Sequence, residues 1–188
     1  MNITIGIDPS LTNTGIAFSE MKPENEKSRM FTHTIKPKIK GSERLYEIFI
    51  TFTGLLHKFK KDYPEGNIHL AAIEGYDYKG QNLAELGEAS GVLKCACAIH
   101  SIPIIVVPPA SLKKFATGYS QASKKAMMQE YPSENEHVAD AWALADLASH
   151  YLHSTSQKRH QLEVLKVLRE GKKQKKGITV TKIHPILT

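Results

Sequence analysis

The sequence is poor in cysteine, in tryptophan and in long apolar runs. Its 188 residues include two cysteines, Cys95 and Cys97, and one tryptophan. Cysteines two positions apart on one segment do not staple a fold, and no apolar run approaches the roughly 20 residues that span a bilayer. The opening residues MNITIGIDPS lack the basic and apolar parts of a secretory signal. We therefore expect a disulfide-free protein of the cytoplasm with no membrane partner.

Positive charge is concentrated near the end of the chain. Of 25 Lys and Arg and 19 Asp and Glu, nine and two respectively lie from Lys158 onward, so this part carries +7 and the rest −1. Clustered cations favour a polyanion such as nucleic acid, but a solvated terminus that only aids solubility fits the composition equally well. We predict one domain over residues 1–155 and a basic tail over residues 156–188.

The hydrophobic pattern predicts an α/β protein. Strand-like runs occupy Ile3–Asp8, Gly15–Ser19, Met30–Ile35, Ile68–Glu74 and Ile102–Val107. Helical periodicity begins at Ser42 and ends near Tyr63, and it returns over Leu83–His100, Ser111–Phe115, Ser123–Gln129 and Glu136–Leu152. One amphipathic turn is expected after Lys158, and a final strand over Ile178–Ile183. This order predicts a mixed five-stranded sheet, an antiparallel meander followed by parallel strands, with helices on both faces.

Two acidic residues end apolar strands. Asp8 follows an uncharged strand, and Glu74 closes the next buried one. A carboxylate among apolar neighbours is costly unless it is paired or bound to a cation. Either residue alone is readily explained as a strand-end acid that reaches solvent. Together, at the ends of strands that we expect to be neighbours, they indicate a shared partner.

A third group of polar residues lies on the alanine-rich helix. His137 and Asp140 are three positions apart and therefore share one helical face. A surface histidine and a first-turn acid are the plain explanation, but the Ala141–Ala145 segment that follows Asp140 looks buried. Three carboxylates and one imidazole suit a hard divalent ion such as Mg²⁺ or Mn²⁺. Two such ions can support phosphodiester hydrolysis without a covalent protein nucleophile.

Five segments in order resemble one family. They are Ile5–Ile16 (IGIDPSLTNTGI), Ala72–Tyr76 (AIEGY), Leu86–Lys94 (LGEASGVLK), Val107–Gly118 (VPPASLKKFATG) and His137–Ala145 (HVADAWALA). Together they are similar to the RuvC family of Holliday junction resolvases in the RNase H-like superfamily, and most similar to its phage-type members. The resemblance covers residues 3 to about 150.

The resemblance implies an RNase H-like fold and a homodimer. It also implies a metal-dependent cut, with two Mg²⁺ or Mn²⁺ ions per site, that leaves a 5′-phosphate and a 3′-hydroxyl in two strands of a four-way junction. The catalytic acids fall on Asp8, Glu74 and Asp140. The fourth ligand position falls on His137, where many members carry an acid and some a histidine. If the gene belongs to a phage, the host cytoplasm is the expected compartment.

Contacts to the partner subunit and to DNA follow from the same resemblance. The dimer interface is expected on the Leu83–His100 helix, whose Gly87, Ala89, Gly91 and Ala96 allow close approach; burial of these residues against their own sheet is the alternative. Positively charged residues in a segment near DNA would contact phosphate, and two tyrosines after Glu74 would stack on unpaired bases or pack in the core. These residues are Lys113, Lys114, Lys124, Lys125, Tyr76 and Tyr78.

Three other functions fit part of the pattern. The Asp8–Gly15 turn also resembles the phosphate loop of actin-like sugar kinases and acetate-kinase relatives, although those enzymes need two such domains. A non-catalytic junction-binding protein would gain nothing from acids that repel phosphate. A nuclease of the same fold that cuts forks, flaps, Y-shaped DNA or RNA–DNA hybrids is compatible with the same residues.

Overall fold

The computed structural model describes residues 1–22, 29–76, 83–153 and 158–171. The strands are β1 (Asn2–Asp8), β2 (Thr14–Glu20), β3 (Met30–Ile35), β4 (Asn67–Glu74) and β5 (Ile104–Val107). The helices are α1 (Ser42–Asp62), α2 (Leu83–Ile99), α3 (Pro109–Thr117), α4 (Lys124–Glu130), α5 (Glu136–His153) and α6 (Arg159–Glu170). None of these helices is both long and apolar enough to cross a bilayer.

The five strands form one mixed sheet in the order β3-β2-β1-β4-β5. β1 and β3 each pair antiparallel with β2, which makes the expected meander. β4 pairs parallel with both β1 and β5. The predicted fold class is therefore confirmed. This topology places the ends of β1 and β4 side by side at one edge of the sheet, with Ile7 opposite Ile73.

Residues of β1 alternate between two helical layers because successive side chains of a strand point to opposite faces. Ile3, Ile5 and Ile7 join a buried cluster with the apolar stripe of α1 and with Leu93, Ala96 and Cys97 of α2. The other face is covered by α3, α5 and α6, whose buried residues form a second cluster with Leu70 and Ala72 of β4. Thr4, Gly6 and Asp8 have the alternate parity and belong to this second face.

Three elements differ from the sequence prediction by more than one residue at an end. β5 begins at Ile104 rather than Ile102, and α3 extends from Pro109 to Thr117, beyond the expected Ser111–Phe115, with its proline at the first helical position. The expected single turn after Lys158 is instead α6, a helix of 12 residues. α6 is longer because Val164 and Leu165 are buried in the cluster of α3 and α5, and this tertiary packing sustains the helix. The boundary at residue 155 stays a prediction, and the expected strand over Ile178–Ile183 lies outside the described residues.

Helix α5 docks on the sheet at backbone contact distance. A Cβ added to Gly6 would lie 1.8 Å from the carbonyl oxygen of Ala141, and one added to Gly15 would lie 2.1 Å from that of His137. The hydroxyl of Thr4 donates a 2.8 Å hydrogen bond to the carbonyl of Ala145. Glycine is therefore required at positions 6 and 15 by space rather than by backbone conformation. These contacts place the first turns of α5 directly over the end of β1.

We expect Gly15→Ala to destabilise the protein by about 1–3 kcal/mol, because the methyl group forces α5 away from β2. The site at the end of β1 should be disturbed in the same variant, since His137 is the residue displaced. Urea unfolding monitored by circular dichroism measures the stability. Gly54→Ala is the matched control: Gly54 lies in α1, where an added Cβ would meet open space, so this change should raise stability by about 0.5–1 kcal/mol. Equal effects of the two substitutions would contradict close docking at Gly15.

Candidate active site

Two acidic side chains meet where parallel strands end. Asp8 is the last residue of β1 and Glu74 the last of β4, and their carboxyl groups are joined by a hydrogen bond. Asp8 is 6% exposed, whereas Glu74 is only partly buried. Both belong to the α5 face of the sheet by strand alternation. The structure therefore brings together the two strand-end acids that the sequence singled out.

Helix α5 adds His137 and Asp140 from above. Asn135 caps this helix by accepting the N–H of Val138 at 3.1 Å through its side-chain oxygen. The side-chain amide of Asn135 also donates to the hydroxyl of Thr34 in β3 at 3.2 Å. Nδ1 of His137 lies 2.6 Å from Oδ2 of Asp8. The cap thus ties the start of α5 to the edge of the sheet and holds the imidazole beside Asp8.

Burial shapes the electrostatics of the three acids. Desolvation raises the pKa of Asp8, and the hydrogen bond from Glu74 only partly offsets it. Desolvation followed by repulsion from Asp8 raises the pKa of Glu74. The pKa of Asp140 rises to about 6 through burial and the charge of Glu74. The hydrogen bond between Asp8 and Glu74 relieves part of their repulsion, and a bound cation would relieve more of it.

Two of the four predicted DNA-contacting lysines face this acidic cluster. The ammonium of Lys113 on α3 opposes the pKa rise of both Glu74 and Asp140. Lys124 acts in the same direction on Asp8, while its ammonium contacts the carboxylate of Glu136. Glu136 in turn raises the pKa of Asp8 and of Asp140. The site therefore has positive charge on the side of α3 and α4.

The other two lysines are placed differently. Lys114 points to α6, where its ammonium lies 2.8 Å from a carboxylate oxygen of Glu163. Glu163 also pairs with Arg159 at 3.1 Å, and the two cations hold the pKa of Glu163 below its usual value. Lys125 is exposed on α4. Thus Lys114 has a carboxylate partner within the protein, and a phosphate would have to compete with it.

Tyr76 lies two residues beyond Glu74 and is partly buried. The ammonium of Lys94, on α2, lies 3.5 Å from its hydroxyl and 5.1 Å from its ring centre. Tyr76 is absent from both main buried clusters of apolar side chains, so the core-packing alternative is not favoured for it. Tyr78 lies outside the described residues.

The donor set fits a hard divalent cation. Three carboxylates and one imidazole converge on one edge of the sheet, and oxygen-rich sets of this kind are typical of Mg²⁺ and Mn²⁺. Within the described part of the chain, no three acidic, histidine or cysteine side chains already surround one point at ligand distances. The reason is visible in the hydrogen bonds, because His137 and Glu74 both turn toward Asp8. Cation binding must replace these contacts.

Several residues that build the site have no clear signal in the sequence. Gly6 and Gly15 set the distance between α5 and the sheet. The only sequence clue to this is that the small residues Thr4 and Gly6 share one strand face with Asp8, which indicates that an element packs closely there. Asn135 falls in a segment that the pattern assigns to a loop, although an Asn followed by a helical pattern is typical of an N-cap. Glu163 and Lys94 act through contacts with residues far away in the sequence, which local patterns do not reveal.

Comparison with known proteins identifies related sequences and a shared fold. The family model described as "Crossover junction endodeoxyribonuclease RuvC" matches residues 4–146. A relative of that name from Hydrogenovibrio crunogenus is 30% identical over 160 residues, covering 79% of this chain and 87% of the relative. Another, from Carboxydothermus hydrogenoformans, is 29% identical over 151 residues, covering 75% and 91%.

Solved structures support the fold. The Thermus thermophilus RuvC structure matches with a TM-score of 0.67 at 23% identity, covering 81% of this chain and 97% of that one. The structure of T. thermophilus RuvC in complex with a Holliday junction substrate matches with a TM-score of 0.65 at 24% identity, covering 81% and 94%. α6 begins beyond the residues that the family model matches.

The buried acids make stability depend on pH in a defined direction. Because the pKa values of Asp8, Glu74 and Asp140 are raised in the folded state, the native protein binds more protons than the unfolded chain above about pH 4. These groups therefore contribute stability at low pH, and this contribution is lost as pH rises through the raised pKa values.

Without divalent cations, we expect the free energy of unfolding of Asp8→Asn to exceed that of the parent by about 1–3 kcal/mol between pH 5 and pH 8.

Thermal unfolding of both proteins in EDTA at several pH values measures this difference. Adding Mg²⁺ or Mn²⁺ at pH 8 should raise the melting temperature of the parent more than that of Asp8→Asn, because a cation compensates the clustered charge. Parallel pH profiles for the two proteins would contradict the raised pKa of Asp8.

Proposed function

The chain belongs to the RuvC family of crossover junction endodeoxyribonucleases, and on this premise we propose that it resolves four-way DNA junctions by hydrolysing one phosphodiester bond in each of two strands. The observation that carries the proposal is the convergence of Asp8, Glu74, His137 and Asp140 at the edge of the sheet. A kinase half-domain is not supported, because the family model covers residues 4–146.

RuvC nucleases are metal-dependent, and we assign the ligand positions to the four clustered residues. Asp8, Glu74 and Asp140 would supply carboxylate oxygens, and His137 an imidazole nitrogen. Two Mg²⁺ or Mn²⁺ ions held there would supply activation of a water molecule and stabilisation of the leaving oxygen, and cleavage would give 5′-phosphate and 3′-hydroxyl ends.

The protein's own residues would bind and orient the substrate. Lys113 and Lys124 offset the negative charge of the acids and so allow a DNA strand to approach them. Before a cation binds, His137 holds Asp8 in place through the 2.6 Å contact. Lys114 and Lys125 contribute farther along the duplex, with Lys114 exchanging Glu163 for phosphate. These contacts position the DNA backbone without reading its sequence.

Cleavage of a labelled four-way junction in Mg²⁺ or Mn²⁺ tests the proposal. The parent should make symmetric paired nicks, and Asp8→Asn should cut at least about 1,000-fold more slowly, since it loses a cation ligand. Junction binding by Asp8→Asn should be equal or tighter, because the variant removes a negative charge from the site. A three-way junction, a flap, linear duplex and an RNA–DNA hybrid serve as controls.

Comparable cutting of forks and flaps would replace junction resolution by a broader debranching activity. Binding without any cutting by the parent would assign a non-catalytic junction-binding role. Cutting by Asp8→Asn at the parental rate would overturn the assignment of the acidic cluster.

We also propose that the active form is a homodimer, because two symmetry-related sites match the two strands of a twofold junction. The exposed side of α2 is the surface that fits. Ala89 and Ala96 are fully buried in their own subunit, so for these two residues the alternative of burial against their own sheet holds. A Cβ added to Gly87 or Gly91 would instead meet open space. The proposed interface therefore centres on Gly91.

Gly91→Arg should convert the dimer to a monomer and abolish paired nicking, because the long side chain prevents close approach of two α2 helices. Sedimentation equilibrium measures the mass. Gly54→Arg is the matched control, since Gly54 is also an exposed helical glycine with open space around it, and it should leave the mass unchanged. An unchanged mass for Gly91→Arg would exclude this surface as the interface.

The proposed compartment is the cytoplasm, or the host cytoplasm if the gene is carried by a phage. The similarity to phage-type members remains a prediction. The basic tail from residue 156 remains a proposed second contact to DNA.

A further inference from the structure

Lys94 of α2 contacts Tyr76, the second residue after Glu74. The ammonium of Lys94 is 3.5 Å from the hydroxyl of Tyr76 and 5.1 Å from its ring centre. The shorter distance shows that the contact is made at the hydroxyl end of the ring. We propose that Lys94, held in place by Tyr76, binds a DNA backbone phosphate on the α2 side of the cleavage site.

The location of this pair follows from the sheet. Tyr76 is two residues beyond Glu74, so its backbone lies at the edge where the acids cluster. Lys94 belongs to α2, which packs on the sheet face opposite α5. It is partly buried beside Tyr76, whereas Gly91, the centre of the proposed dimer interface, is on the exposed side of the helix. The Tyr76–Lys94 pair therefore borders the site on the side away from His137, Asp140 and Lys113. A DNA strand that crosses the edge of the sheet would therefore pass between Lys94 and Lys113.

Lys94 differs from Lys114 and Lys124 in the kind of side chain that it contacts. Lys114 and Lys124 each have a carboxylate partner, Glu163 and Glu136 respectively. No carboxylate of the described residues pairs with the Lys94 ammonium, whose contacts are with the neutral Tyr76. Its charge is therefore not compensated by an acid in that part of the chain. A hydrogen bond of 3.5 Å to a neutral hydroxyl is weak, and a phosphate offers a shorter charge-assisted one.

The need for this second cation comes from the acids. Asp8, Glu74 and Asp140 repel a phosphodiester from the edge of the sheet, and among the described residues Lys113 of α3 and Lys124 of α4 offset this repulsion. A phosphate contact on the α2 side would hold the DNA strand so that it crosses the acidic cluster and does not run along α3. Tyr76 is a positioning residue in this arrangement, because its ring and its hydroxyl together restrain an otherwise flexible lysine side chain.

This inference rests on the proposed function, and its test is binding rather than cleavage. In the full chain carrying Asp8→Asn, binding of a fluorescent four-way junction is measured from about 50 to about 300 mM salt. Lys94→Met should weaken binding about fivefold to tenfold and reduce the slope of log K against log salt by about 0.9, the value for one lost phosphate contact. Lys94→Arg should restore the slope. Lys58→Met, which removes an exposed lysine paired with Asp62 on α1, should leave it unchanged.

Tyr76→Phe tests the positioning role, because it retains the ring and removes the hydroxyl. Its effect on affinity and that of Lys94→Met should be less than additive in the double variant. A salt slope for Lys94→Met equal to the parental slope would overturn the phosphate contact, and full additivity would overturn the role of Tyr76. Either result leaves cleavage by the parent intact, whereas failure of the parent to cut or bind junctions would instead overturn the proposed function. Lys94→Gln provides the same measurement if Lys94→Met does not fold.

Discussion

The arrangement of the acidic cluster depends on how closely α5 approaches the sheet. Gly6 and Gly15 allow the carbonyl groups of Ala141 and His137 to lie where a methyl group would otherwise be, and Thr4 anchors the helix one turn farther on. The same contact fixes the height of the His137 and Asp140 side chains above Asp8. Small residues in the sheet are thus the structural origin of the site, although they take no part in its chemistry.

The acidic cluster is held together against its own repulsion. Burial favours the neutral forms of Asp8, Glu74 and Asp140, while Lys113 and Lys124 favour the charged ones. A hydrogen bond joins Asp8 to Glu74, and the imidazole of His137 contacts Asp8 from α5. The site is therefore costly for folding at neutral pH, and this cost is the physical reason to expect strong cation binding.

Strand alternation and helical periodicity in the sequence predict the parts of the molecule that depend on local structure. Strand-end acids and the i, i+3 spacing of His137 and Asp140 located residues that the structure brings together, because strand alternation and helical periodicity fix where such side chains point. The length of α6 was underestimated because its helix depends on burying Val164 and Leu165 against α3 and α5. The pairing of Lys114 with Glu163 was missed for the same reason, since 49 positions separate the two residues.

The position of α6 limits how the chain can be shortened. This helix follows the segment matched by the family model, yet Val164 and Leu165 complete a cluster that includes Leu112 and Phe115 of α3, and Arg169 donates to the carbonyl groups of His150 and Tyr151 at the end of α5. Removing everything after α5 would expose the apolar side chains of α3 that α6 covers, and it would remove the Arg169 side chain that binds the last carbonyl groups of α5. A trimmed form suited to crystallisation should therefore keep the chain through Gly171.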